Sequence, residues 1–467
     1  MDDHAPQPPP PRPHLLYRIL SEVGLVTLFR SPRDIKLLCL QRFVRLFAYG
    51  VTTLILVAYL QLLGHSRTRV GLFMTLTLAG DVVISFFLTL FADRLGRKAI
   101  LSLGALLMTA SGVVFALFSN YWVLLLAAVL GVISPAGNEI GPFRAVEESI
   151  VAHLTPKEQR AEVYAWYTLF APAGSAFGMV ASGWAIEAAR KRLGWELLGA
   201  YRGAFVAYAI LGLVKFLLTV MLSREVELEE VVVPPAPAPT PTEADERAPL
   251  LSGTPEPEQP SKKKRSRLAA MLPHISPESK KVTAILCILF AIDSLGSGLA
   301  SLSWVTFYFR SQFGIEEGKL GSLFFTTSII SAITVLVASS IAKRLGNVKT
   351  MVFTHLPSAV FLALIPIPSD PKYAVMFLVL RASLQSMDSA PRTAFLATIL
   401  QPGERTSVMG AVNVVKTTAQ SMGPLITGVL ASHGLFWLTF VVAGSLKGTY
   451  DLLLLAVFKN YGRHRTG

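Results

Sequence analysis

Residues 91–98 read FADRLGRK, and residues 341–348 read IAKRLGNV. Both octapeptides follow a long stretch that carries almost no charge. Both contain the tripeptide Arg-Leu-Gly, at 94–96 and again at 344–346. A charged turn that interrupts two apolar regions at matching places indicates a chain built from two related halves.

Composition identifies the environment of these apolar regions. Of the 467 residues, 52% are hydrophobic and 16% are charged, whereas a soluble domain usually has about 25% charged residues. The mean hydropathy is +0.52. Apolar runs recur along nearly the whole chain, and each can cross about 30 Å of hydrocarbon as a helix. The chain is therefore predicted to be an all-α membrane protein.

Twelve transmembrane helices are predicted, in two pseudo-symmetric bundles of six. They are placed at 38–62, 70–92, 99–119, 121–146, 162–187, 203–222, 282–309, 320–341, 349–367, 373–396, 409–431 and 435–457. A segment rich in proline and charge follows the sixth span, and such a segment cannot bury a core. The predicted organisation is a cytoplasmic tail (1–37), an N-terminal bundle (38–223), a disordered linker (224–281), a C-terminal bundle (282–458) and a second cytoplasmic tail (459–467).

Basic residues set the predicted orientation. Lysine and arginine are concentrated on the side of the two termini, which places both termini in the cytoplasm. The net charge of +13 therefore requires no nucleic acid, and KKKRSR at 262–267 is expected to contact anionic lipid. The first tail contains LLYRILSEVGLVTLF at 15–29. Its helical periodicity predicts an amphipathic helix, either at the membrane surface or solvated.

The linker also contains ERAPLL at 246–251, which has the spacing of an acidic dileucine sorting signal. If this signal is read, it predicts a vacuolar or endosomal membrane. The alternative is the plasma membrane.

The two halves align in more than one place. A constant shift matches Gly64 to Gly314 and Gly71 to Gly321, together with the two Arg-Leu-Gly turns. With a different shift, LGLVK ending at Lys215 matches AGSLK ending at Lys447. Two six-span repeats in parallel order are the architecture of one class of secondary transporter, whose substrate site lies between the halves near the bilayer midplane.

The loop after the second span resembles the corresponding loop of the major facilitator superfamily. That family has the form Gly-x-x-x-Asp-Arg/Lys-x-Gly-x-Arg/Lys-Arg/Lys at this point. The chain has Thr89 where the leading glycine stands, and it supplies the remaining positions as Asp93, Arg94, Gly96, Arg97 and Lys98. Glycine permits the tight turn, and the basic residues hold the loop on the cytoplasmic side.

The resemblance implies a gating role for this loop. In the family the aspartate docks against the start of the eleventh span and favours one gating state, so Asp93 is expected near ERTSVMG at 404–410. Exposed amide groups and the positive end of the helix dipole suit a carboxylate there. The second half has Lys343 in place of Asp93, so this latch is expected once.

Subfamily motifs identify no substrate. The sequence motifs of sugar porters and peptide transporters are absent. RASLQ at 381–385 and GPLITG at 423–428 weakly resemble motifs of drug–proton antiporters, but those motifs belong to the first half of the antiporters and these lie in the second half. GNEIGPFRAVEES at 137–149 and DSAPRTAF at 388–395 are typical of a branch of the family of fungal type.

Ionisable residues inside spans are costly and mark functional sites. Asp81 and Asp293 each lie within a span, where a carboxylate either pairs with a cation or carries a proton. Arg381 and Asp388 are seven residues apart, so on one helix they would share a face. Glu139 and Lys416 complete the residues predicted to line a substrate or proton cavity.

Other charges favour structural roles. The inner-end groups Arg144, Glu147, Glu148 and Arg392 are predicted to form gate salt bridges between the halves. Arg42 and Arg45 lie near the inner surface, where snorkelling is expected. Spans six and twelve lie outside the cavity in the family, and Lys447 is expected to neutralise Asp451, four residues on.

These features predict a function. No catalytic constellation, metal spacing or nucleotide loop is visible in the sequence, so neither an enzyme nor a cofactor is expected. The chain is predicted to be a monomeric secondary transporter that moves a small solute by alternating access, with protons as the coupling ion. The alternative is a transporter-like receptor that senses a nutrient without moving it.

Overall fold

The computed structural model describes residues 24–131, 133–135, 142–227, 277–400 and 404–458. Over this part of the chain it is helical, and the helices after a short one at Leu25–Arg30 group into twelve spans, as predicted. Spans one to three are Arg33–Leu62, Arg67–Leu95 and Arg97–Leu117; span four is Tyr121–Leu130 with Pro142–Leu154; spans five and six are Arg160–Leu193 and Leu197–Val220. Span seven is Pro277–Leu299 with Leu302–Phe313; spans eight and nine are Glu317–Leu345 and Asn347–Leu364; span ten is Pro371–Gln385 with Ser389–Ile399; spans eleven and twelve are Arg405–Ser432 and Phe436–Phe458.

Length and composition agree with a membrane setting. Seven stretches of helix among the described residues are long and apolar enough to cross a bilayer. Large apolar side chains such as Ile210 (57% exposed) and Phe353 (59% exposed) face outward. An outward apolar surface suits hydrocarbon because lipid imposes no penalty on exposed leucine or phenylalanine. The chain is a multi-pass membrane protein.

Three spans are interrupted near their middle. Span four stops at Leu130, span seven breaks at 300–301, and span ten breaks at 386–388. The carbonyl groups freed in span four are partly taken up by hydroxyls of other spans: Thr53 donates to Ser134 O (3.2 Å) and Ser303 donates to Pro135 O (2.7 Å). Irregular backbone at membrane depth is tolerated where it is buried in protein or lines a cavity.

Glycine places the charged turns in the two halves alike. Gly96 links spans two and three with φ of +83°, and Gly346 links spans eight and nine with φ of +84°. A residue with a Cβ rarely adopts this conformation, so glycine is needed at each turn.

Small residues also bring the halves together. A Cβ on Gly71 of span two would lie 2.5 Å from Pro424 O of span eleven. A Cβ on Gly321 of span eight would lie 2.4 Å from Met179 O of span five. The aligned glycines therefore serve the same purpose in each half, because only glycine allows these helices to approach so closely.

Several predicted features lie outside the described residues. They are the first tail up to residue 23, Glu139, the linker beyond residue 227 with its basic and dileucine motifs, and the last residues from 459. The backbone of 85–95 is helical, but the side chains of Asp93 and Arg94 also lie outside the described part.

Candidate functional site

A large cavity lies within the second half and reaches the first. Its volume is about 780 Å³. The first half contributes span five through Thr168, Leu169 and Pro172, and spans seven to twelve of the second half supply the remaining wall. Residues at the broken points of spans seven and ten, among them Ser301 and Ser386, line it. The helix breaks thus coincide with the cavity wall.

A buried ionic cluster forms one side of this cavity. The Lys447 ammonium donates to Asp293 Oδ1 (2.7 Å) and to Ser297 Oγ (2.8 Å). The Arg392 guanidinium lies 3.6 Å from Asp293 Oδ2 and donates to Asp388. Asp293, placed by span seven, is therefore contacted by cations from spans ten and twelve.

The predicted neutralisation of Lys447 by Asp451 is wrong. Lys447 contacts Asp293 instead, while Asp451 Oδ2 lies 2.8 Å from His355 Nδ1. Lys447 also lines the cavity, so span twelve is not excluded from it. The reason is geometric: Lys447 points toward span seven, where a buried carboxylate is available at hydrogen-bond distance.

Arg381 and Asp388 do not lie on one continuous helix, so the shared helix face expected from their spacing is wrong. Both residues line the cavity, but Asp388 accepts from Arg392 of the following helix. The helix that carries Arg381 ends at Gln385. A separation of seven residues places two side chains on one face only along a continuous helix, and the break at 386–388 interrupts it.

The first half contains a second ionic cluster, away from the cavity wall. Arg45 donates two hydrogen bonds of 2.8 Å to the carboxylate of Glu147, which is fully buried. Tyr167 also donates to Glu147 (2.8 Å), and Lys215 Nζ lies 3.8 Å from it. These contacts join spans one, four, five and six, so they stabilise the first half internally.

Two structural predictions need correction here. Arg42 and Arg45 do not snorkel: they are 2% and 3% exposed, and Arg42 stacks on the Tyr167 ring with 4.0 Å from guanidinium to centroid. The described ion pairs of Glu147 and Glu148 lie within the first half, where Arg45 contacts Glu147 and Arg144 contacts Glu148 at 2.7 Å. The conformation explains this, because the contacts between halves are concentrated at the opposite ends of the spans.

The two clusters join equivalent pairs of spans, but the acidic and the basic residue have exchanged places. In the first half an arginine of span one meets a glutamate of span four; in the second an aspartate of span seven meets an arginine of span ten. In both, a lysine from the last span of the half, Lys215 or Lys447, approaches the carboxylate. The aligned lysines in the sequence were the signal for this arrangement, although their partners were not foreseen.

The other predicted site residues lie apart. Asp81 is buried in span two, and its Oδ1 has no hydrogen-bond partner in the part of the chain that the structure describes. Lys416 lies in a separate pocket of about 40 Å³, together with Asn413, Arg392 and Phe290. The cavity therefore unites Asp293, Arg381 and Asp388, but neither Asp81 nor Lys416 is among the described residues that line it.

The loop between spans two and three is capped by an unforeseen carboxylate. Glu227 accepts from the amides of Arg97 (2.7 Å) and Lys98 (3.0 Å) at the start of span three. The Lys98 ammonium donates to Val220 O and Leu222 O at the end of span six. A carboxylate at this position satisfies free amides and complements the helix dipole. Because Glu227 lies 130 residues from Arg97 in the sequence, the loop motif gave no indication of this contact.

Contacts between the halves concentrate at the ends opposite the linker. Thr68 donates to Ser432 (2.9 Å), and Trp184 donates to Ser322 (2.9 Å). Lys191 contacts Glu316 at 2.9 Å, and its hydrogen bond lowers the pKa of the partly exposed Glu316 carboxyl. Tyr201 donates to Glu317 (2.7 Å) and accepts from Arg310. The ends of the spans opposite the linker are therefore joined by polar contacts on both sides of the molecule.

Comparison with known proteins agrees with the fold. The family model of the Major Facilitator Superfamily matches residues 38–279 and 286–465. The chain belongs to this superfamily of membrane transporters, as its loop motif indicated.

Individual relatives follow the same pattern. The chain is 37% identical over 439 residues to the uncharacterized membrane protein YJR124C of Saccharomyces cerevisiae, covering 92% of this chain and 94% of the relative. It is 25% identical over 183 residues to the quinolone resistance protein NorA of Staphylococcus aureus, covering 39% and 43%. The crystal structure of the nucleoside transporter NupG superimposes with a TM-score of 0.64 at 13% identity, covering 92% of this chain and 100% of that one.

Proposed function

We propose that this protein is a secondary transporter that moves a small solute by alternating access, coupled to protons, and that the structure represents its state closed on the outer side. The observation that carries the proposal is the position of the contacts between halves. Polar contacts join the outer ends on two sides, through Thr68 with Ser432 and through Lys191 with Glu316. The cavity borders both halves below them.

The pairing within each half supports a rocking motion. Arg45 with Glu147 ties span one to span four, and Asp293 with Lys447 ties span seven to span twelve. Each half can therefore move as a unit. Tyr201 with Glu317 is a buried contact between the halves. Other contacts involve exposed side chains such as Lys191, and exposed ion pairs contribute only about 0–1 kcal/mol each. Such contacts can break and reform during a transport cycle.

Buried carboxylates support proton coupling. Asp81 has no cation within salt-bridge distance among the described residues, and one of its oxygens is buried without a hydrogen bond from them. An ionised carboxylate in that setting is much more costly than the protonated carboxyl group. We therefore infer that Asp81 exchanges a proton during the cycle.

A disulfide across the outer ends tests alternating access. The hydroxyls of Thr68 and Ser432 are 2.9 Å apart, so cysteines at these two positions lie within reach of a disulfide. The double variant T68C/S432C is reconstituted in proteoliposomes with a substrate found by an uptake screen. Oxidation is expected to stop uptake, and reduction to restore it.

Each single variant, oxidised in the same way, serves as the matched control, because it leaves the outer ends free to part. Undiminished uptake by the cross-linked double variant would contradict the proposal. Binding of a solute without uptake, in wild type, would favour the nutrient-receptor function instead. Running the screen with and without a pH gradient tests proton coupling in the same preparation.

A further inference from the structure

Arg381 is a charged residue in the cavity wall. It lies on the outer helix of span ten, and its side chain lines the cavity. In the part of the chain that the structure describes, no carboxylate lies within salt-bridge distance of its guanidinium and no acceptor receives its hydrogen bonds. A guanidinium has five N–H donors, and none of the five on Arg381 has an acceptor among the described residues.

The other charges among the described residues of the cavity are neutralised. Lys447 contacts Asp293, and Arg392 contacts Asp388. His355 also lines the cavity, and its carboxylate partner is Asp451. Three lysine or arginine side chains and two aspartates face this space, so Arg381 leaves one net positive charge.

An unpaired cation at membrane depth is costly and is a mark of a ligand site. The surroundings suit a polar ligand. Gln385 lies one turn further along the same helix, and span eight contributes the hydroxyls of Thr327, Ser328 and Ser331. A guanidinium binds carboxylates and phosphates through two parallel hydrogen bonds. The hydroxyl and amide groups would then bind the uncharged part of the molecule.

We propose that Arg381 binds an anionic group of the transported solute, so that the substrate is an organic anion or a zwitterion with a free carboxylate, phosphate or sulfonate. This inference rests on the proposed function, because it identifies the cavity ligand with the substrate. It separates Arg381 from Arg392 and Lys447, whose charges serve the ionic cluster.

Ligand-induced stabilisation tests this inference without transport. Purified protein is heated with lactate, succinate or inorganic phosphate as anionic probes, with glucose as the neutral probe and choline as the cationic one. A ligand that binds only the folded state raises the unfolding temperature, and the increase grows with the logarithm of its concentration relative to Kd. At least one anion is expected to stabilise wild type beyond sodium chloride of equal ionic strength. The carboxylates and the phosphate are compared to separate the two anion types.

Variants assign the effect to Arg381. Arg381→Gln is expected to weaken anion binding by about 10- to 100-fold, as for the loss of hydrogen bonds to a charged group. Arg381→Lys keeps the charge but loses the planar fork, so an intermediate affinity is expected, and this variant also serves if Arg381→Gln does not fold. Arg202→Gln is the matched control, because Arg202 donates to Ser119 and is not among the cavity residues.

Two outcomes of the stabilisation assay overturn the inference: no anionic probe stabilises wild type beyond the salt control, or an anion stabilises Arg381→Gln as well as wild type. The result is separable from transport. An anion that binds at Arg381 but is never taken up contradicts the proposed function and leaves only the anion-binding site. A neutral solute accumulated equally by wild type and Arg381→Gln contradicts the anion site alone.

Discussion

Replacement of Glu147 by glutamine tests the ionic cluster of the first half. Glu147 is fully buried and accepts two hydrogen bonds from Arg45, at 2.8 Å each, and one from Tyr167. Lys215 lies 3.8 Å away on span six. Glutamine has nearly the same shape, so Glu147→Gln removes the charge with little change in packing. Its neighbour Glu148 provides a matched substitution on the same helix.

The two substitutions differ in expected cost. Loss of one partner of a buried ion pair costs about 3–5 kcal/mol because it leaves an uncompensated charge. Glutamine keeps one carbonyl oxygen for Arg45 or Tyr167, so about 3 kcal/mol is expected for Glu147→Gln. Glu148 pairs with Arg144 at side-chain exposures of 33% and 48%. Such an exposed pair contributes about 0–1 kcal/mol. Glu148 also lies 3.9 Å from the buried Arg42 guanidinium, so Glu148→Gln is expected to lower the free energy of unfolding by about 1 kcal/mol, well below the cost of Glu147→Gln.

Reversible unfolding of the purified protein in mixed detergent measures both free energies. A third variant, Glu147→Gln with Lys215→Met, removes one of the two cations that face residue 147 and is expected to recover part of the loss, because neighbouring substitutions are not additive. If Glu147→Gln costs no more than Glu148→Gln, the cluster does not stabilise the first half and our reasoning fails.

Further predictions concern coupling, gating and location. Asp81→Asn mimics the protonated carboxyl, so it is expected to abolish accumulation driven by a pH gradient while sparing exchange of labelled for unlabelled substrate. Gradient-driven accumulation by this variant would show that Asp81 does not couple transport to protons. Asp93→Asn is expected to reduce transport while the amount of folded protein stays nearly unchanged, because a gating contact is lost. Normal uptake by this variant would contradict the gating role of Asp93. Glu227→Gln removes the charged cap on the backbone amides of Arg97 and Lys98. It is expected to lower the free energy of unfolding by about 0.5–2 kcal/mol, and an unchanged value would show that the cap does not stabilise the protein. Leu250→Ala with Leu251→Ala is expected to move the protein from a vacuolar or endosomal membrane to the cell surface, as seen by fluorescence microscopy. An unchanged distribution would show that ERAPLL is not read as a sorting signal.

The sequence by itself determined the membrane class, the twelve spans and the two halves. Hydrocarbon thickness requires long apolar runs, and this requirement can be read along one dimension of the chain. The aligned turns likewise predicted a repeat, which appears as positive φ at Gly96 and Gly346. The family motif around residues 93–98 identified the superfamily because it is local in sequence.

The tertiary structure alone decided which charges meet. Arg45 and Glu147 are 102 residues apart, and Asp293 and Lys447 are 154 apart, so no local period relates them. Their pairing depends on which helix faces are brought together by packing. The break at 386–388 in span ten had the same effect, because it assigned Asp388 to Arg392 and left Arg381 to face the cavity. Spacing along a helix predicts a shared face only while the helix continues, and the interruption at this depth depends on the surrounding spans.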